Sequence, residues 1–146
     1  MEAFREINVK DEGIDGQDIN YIMNIARTLP TIYRLSLENT PITDEDLDTL
    51  FSQLAKMDNI VILNLKRKSL RKEQVVKLVE MLQGRQTSLD VNLEANDLED
   101  SGLDTLLEYV ETAGVDNKLM SLKVGGNRIT KVHRLAALLR KAGHSI

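Results

Sequence analysis

Leu119 to Ile129 reads L-M-S-L-K-V-G-G-N-R-I, and Ser88 to Leu98 reads S-L-D-V-N-L-E-A-N-D-L. Apolar residues hold the fourth, sixth and eleventh places of both stretches, and asparagine holds the ninth. The first place is Leu119 in one and Ser88 in the other. Ile32 to Ile42, I-Y-R-L-S-L-E-N-T-P-I, keeps the frame with Thr40 in the asparagine slot. The frame recurs 28 residues earlier at Phe4 (F-R-E-I-N-V-K-D-E-G-I) and 28 residues later at Ile60 (I-V-I-L-N-L-K-R-K-S-L). Units therefore begin at 4, 32, 60, 88 and 119. A period in this range marks a stacked repeat array.

The second half of each unit repeats too. Apolar residues follow at i, i+3, i+4 and i+7, the stripe of an amphipathic helix. The stripes are Ile19, Ile22, Met23, Ala26; Leu47, Leu50, Phe51, Leu54; Val75, Leu78, Val79, Leu82; and Leu103, Leu106, Leu107, Val110. A fifth, Leu135, Leu138, Leu139, Ala142, is displaced by one residue, as expected of a terminal cap. Thr43 followed by Asp46 predicts a capping box. Gly84, Gly114 and Gly143 follow the third to fifth stripes, where left-handed caps favour glycine.

Each unit is thus a short strand, a loop and a helix. The frame L-x-x-L-x-L-x-x-N-x-L is that of leucine-rich repeats, and helical units of this length resemble the ribonuclease-inhibitor class of that family. The resemblance implies an α/β fold: a leucine-rich repeat solenoid, or right-handed α/β horseshoe. It would have five strand–loop–helix repeats, with a parallel concave sheet and convex helices. One domain is expected over 1–146, with repeats at about 4–31, 32–59, 60–87, 88–118 and 119–146. In size and unit number the chain is similar to the tropomodulin C-terminal domain.

Composition narrows the function classes. The chain has 22 Leu and 11 Ile against 5 aromatics, so branched aliphatics must build the core. It has no Cys, which excludes disulfide caps, thiol catalysis and cysteine metal sites. With no disulfide caps, signal peptide or membrane-length apolar run, an intracellular, cytoplasmic protein is expected. The net charge of −4 disfavours bulk nucleic-acid binding. His133 and His144 lack metal-ligand spacing. Gly125-Gly126-Asn127-Arg128 matches no phosphate-loop motif and is explained by the repeat register. No enzyme, cofactor, metal or small-molecule site is expected.

The strand face exposed on the concave side is the informative surface. Its fifth places, Asn8, Ser36, Asn64, Asn92 and Lys123, form a polar row. Its seventh places, Lys10, Glu38, Lys66, Glu94 and Gly125, alternate in sign, so lateral ion pairing is predicted. The second places, Tyr33, Val61, Leu89 and Met120, read as an exposed apolar stripe beside Arg34 and Ile62, with Leu89 alternatively replacing Ser88 in the core. Lys66, Arg67 and Lys68 begin a basic run to Lys72. Lys68 stands in an asparagine slot, and one reading turns it outward to a partner.

These residues — Tyr33, Arg34, Val61, Ile62, Asn64, Lys66, Arg67, Lys68, Leu89, Asn92, Met120 and Lys123 — are the expected partner-binding site. The reading is a non-catalytic protein–protein interaction module using the concave face and adjacent loops. Tropomodulin-like architecture implies an alternative, actin binding or filament capping. Ran GTPase-activating proteins share the repeat type and imply a second alternative, a GTPase regulator.

Overall fold

The computed structural model describes residues 4–141. Strand and helix alternate throughout: β1 (Glu6–Asn8), α1 (Gly16–Thr28), β2 (Arg34–Ser36), α2 (Asp44–Leu54), β3 (Ile62–Asn64), α3 (Lys72–Gly84), β4 (Leu89–Asn92), α4 (Glu99–Ala113), β5 (Leu119–Lys123) and α5 (Val132–Lys141). The five strands form one parallel sheet in sequence order. Ile7, Leu35, Leu63, Val91 and Leu122 lie side by side across it. The inward residues of β2, β3 and β4 and the first four helix stripes meet in one aliphatic core. The fifth stripe, Leu135, Leu138, Leu139 and Ala142, lies outside the described side chains, as do Gly143 and His144.

The fourth unit slips by one residue. Leu89, not Ser88, fills the first core place and is 0% exposed. It pairs with Leu119, while Asp90 pairs with Ser121, so Met120 is the extra residue of a bulge. A serine there would leave the core short of an apolar side chain, and a one-residue shift supplies the leucine next to it.

Every turn after a strand uses the same backbone device. Asp11, Asn39, Arg67, Ala95 and Gly126, at the eighth place of their units, all have φ between 52° and 69°. The asparagine beside this place locks the turn. Asn96 Nδ2 donates to the carbonyls of Leu65 and Leu93, and Asn96 Oδ1 accepts from the amides of Lys68 and Leu70. Asn127 repeats this one unit later on Leu93, Val124, Asn96 and Leu98. Thr40 gives a shorter version to Val9 and Glu38.

Helix starts vary. Asp15 and Asp18 form a reciprocal capping box on α1, and Thr43 Oγ1 accepts the Asp46 amide on α2. Of the predicted glycine caps, Gly114 has φ +55°, whereas Gly84 is the last residue of α3 and is not left-handed. Asp100 clasps the start of α5 by accepting from Thr130 and Lys131 amides. The Thr130 hydroxyl, which also donates to it, is the main cause holding its carboxyl below the usual range.

Candidate functional site

The concave face runs across all five strands, and its register is unbroken from β1 to β4. The fifth-place row, Asn8–Ser36–Asn64–Asn92–Lys123, is in register across all five strands, but Ser36 within it is buried. Its asparagines are not idle surface. Asn8, Asn64 and Asn92 each accept, through Oδ1, the amide two residues on, at 2.9 to 3.0 Å. They end the strand and turn the chain into its loop.

Tyr33 and Val61 are half-buried just before β2 and β3. The Tyr33 carbonyl accepts from the amides of Val61 and Ile62, which fixes the two strand entries against each other. The Arg34 guanidinium stands 5.5 Å from the centre of the Tyr33 ring, a cation–π contact. Ile62 pairs with Arg34 on one side and Asp90 on the other. Tyr33, Arg34, Val61 and Ile62 therefore form a compact apolar patch with a fixed cation.

The predicted apolar stripe does not extend past it. Leu89 is withdrawn into the core and offers no surface. Met120 is 49% exposed, but it is the bulged residue of β5 and stands beyond the gap that Leu89 leaves.

The charged row collapses onto Glu38. Its carboxylate lies 3.9 Å from Lys10 Nζ, 4.0 Å from Lys66 Nζ and 3.9 Å from Arg67 Nη1. Three cations round one carboxylate leave net positive charge at this corner of the sheet. Each pair at these separations contributes about 0–1 kcal/mol. Lys123, at the end of β5, is exposed and in no ion pair among the described residues.

Lys68 does not turn outward. Its Nζ is buried with no hydrogen-bond partner, and burial lowers its pKa to about 8. Its stem is too long to reproduce the asparagine bonds, so it runs inward beneath the turn. The basic run is thereby divided: Lys66 and Arg67 at Glu38, Lys68 inside, Arg71 and Lys72 exposed at the start of α3.

One buried cation has no counterpart among the residues expected from the repeat pattern. Arg85 is 3% exposed, and its guanidinium donates to the carbonyls of Leu54, Met57, Ile60 and Thr87. It seals the turn between α2 and β3 from the unit that follows. Its place just before the next strand is the only hint of this in the sequence.

No family model matches the chain, and no curated protein matches it. Among solved structures it is similar to Leiomodin-1 Actin-Binding Site 2, with a TM-score of 0.74 over 95% of this chain and 79% of that one, at 15% identity. At that identity the likeness defines the class by fold: this chain is a leucine-rich repeat solenoid of five α/β units. Among the described residues no helix is long and apolar enough to cross a membrane.

Proposed function

We propose that this chain is a non-catalytic protein-binding module acting inside the cell, that its partner is actin, and that the concave face makes the contact. The observation that carries the reading is the shared architecture with an actin-binding site of leiomodin, over nearly the whole chain. The concave face supports it in chemistry. Tyr33, Val61 and Ile62 supply apolar area, while Arg34, Lys66 and Arg67 rim it with positive charge. A face carried on five paired strands costs little to order on binding.

The test is cosedimentation with filamentous actin, alongside pointed-end elongation rates. Wild type is expected to pellet with filaments or slow elongation, and Tyr33→Asp with Lys66→Glu to lose at least tenfold in affinity while keeping its circular dichroism spectrum. No effect of wild type in either assay overturns actin as the partner. Equal binding by both proteins moves the contact off the concave face.

A further inference from the structure

Repeat arrays stay soluble as single copies when their end units present polar outer faces. The first unit here does not. Phe4 is 74% exposed, Tyr21 72%, Ile25 43% and Leu29 40%. The outer side of α1 can be located from its bonds. Arg27 donates to Gln53 of α2, so it marks the side facing the second unit. Ile25 and Leu29, two residues before and after it, stand about 160° away around the helix, on the side turned from α2. β1 is the first strand of the sheet, and its outer edge has no partner strand among the described residues. Exposed acids, Glu6, Asp11, Glu12, Asp15 and Asp18, outnumber the exposed bases Arg5 and Lys10 at this end.

The other end is its opposite in charge. From Asn117 onward the chain has seven Lys and Arg and no Asp or Glu, while residues 1–31 have three Lys and Arg and six Asp and Glu. The two ends thus carry −3 over residues 1–31 and +7 from Asn117 onward. Internal pairing uses only part of the basic set: Arg134 meets Asp104 at 2.7 Å and Arg128 meets Asp97 at 3.9 Å. Lys123, Lys131 and Arg140 are exposed around the open edge made by β5.

We infer that a second copy of this chain covers the first unit. The basic fifth unit of one molecule stacks on the acidic, apolar first unit of the next. Three features select this occupant. The charges of the two ends are complementary. Ile25 and Leu29 on the side of α1 turned from α2 are uncovered among the described residues. Among the described residues the outer edges of β1 and β5 are the two open edges of one parallel sheet, so a step of about 4.8 Å, like that between neighbouring strands, joins them. The contact is heterologous, so copies add head to tail in a row. Because opposite charges meet at it, assembly weakens as salt rises.

Sedimentation velocity on residues 1–146 tests this, over a concentration series at 20 mM and 500 mM salt. The mass should rise with concentration at low salt and fall back at high salt. Glu6→Lys with Glu12→Lys reverses the acidic end at two residues in no ion pair among the described residues. Lys123→Glu with Arg140→Glu lowers the basic end from +7 to +3. Each double variant alone should self-associate at least tenfold more weakly, and an equimolar mixture of the two should associate again, since the unaltered basic end of one then meets the unaltered acidic end of the other. Ile25→Asp should weaken assembly at both salts. Circular dichroism confirms that every variant folds. A wild type that stays monomeric throughout overturns the inference, and so does assembly that the variants leave unchanged or that mixing fails to restore.

Discussion

Asn96 and Asn127 each spend a whole side-chain amide on closing a turn, whereas Lys68, at the same place in the third unit, closes none with its side chain. The sequence shows the departure from asparagine but not its direction. A lysine can snorkel to water or run inward, and the residue type alone does not decide between them. Folding desolvates the Lys68 amine, which lowers its pKa from 10.5 to about 8. Below pH 8 folded and unfolded chains both carry the proton, and the full cost of burying the ammonium is present. Between pH 8 and 10.5 the unfolded chain holds a proton the folded chain has shed, so stability rises with pH and the cost disappears. Lys68→Asn removes that cost and adds a rung to the asparagine ladder. We expect a gain of about 1–2 kcal/mol at pH 7, after discounting for the part of the side chain that water still reaches. Urea midpoints at pH 7 and pH 10 check it: the gain should be larger at pH 7, and an equal or smaller gain there would refute the burial cost.

At the scale of strand and turn, the legible part is whatever has a period. Side chains alternating at two residues, repeated at 28, fix which residues face the core and which strands pair, so the fifth-place row is readable from the residues alone. The slip at Leu89 is readable only as an alternative, because Val91, Leu93, Asn96 and Leu98 all keep the frame that Ser88 breaks. So is the fate of the apolar stripe, which depends on that slip. The left-handed eighth place is also hidden, since its five occupants share no residue type. It carries a prediction. An L-residue at positive φ is strained by about 1–2 kcal/mol, and glycine relieves this at some cost in chain entropy. Ala95→Gly should therefore stabilise by about 0.5 kcal/mol. Gly126→Ala should destabilise by about 1 kcal/mol, since its new Cβ would also stand 3.4 Å from the Ala95 backbone. Thermal melts of the two variants check the opposite signs; two shifts of the same sign would refute a strained eighth place.

For the whole molecule, stacking makes stability a sum over neighbours, so damage should stay local. The bonding supports this directly. Asn127 reaches Leu93, Asn96 and Leu98 of the fourth unit, and Asn96 reaches Leu65, Lys68 and Leu70 of the third. None of these bonds skips a unit, and the sheet pairs each strand only with its sequence neighbours. Asn127→Ala orphans the buried amides of Asn96 and Leu98 and the carbonyl of Val124, while the Leu93 carbonyl keeps its bond from Asn96, a loss of about 2–4 kcal/mol. Hydrogen exchange should report it unevenly. The amides of Asn96 and Leu98 lose their acceptor and should exchange at least tenfold faster. The Leu37 amide, which lies three units away from the change and donates to the Asn64 carbonyl, should hardly move. A uniform loss of protection across all five units would mean instead that the solenoid opens as one cooperative body, and that its short length couples both ends to every turn.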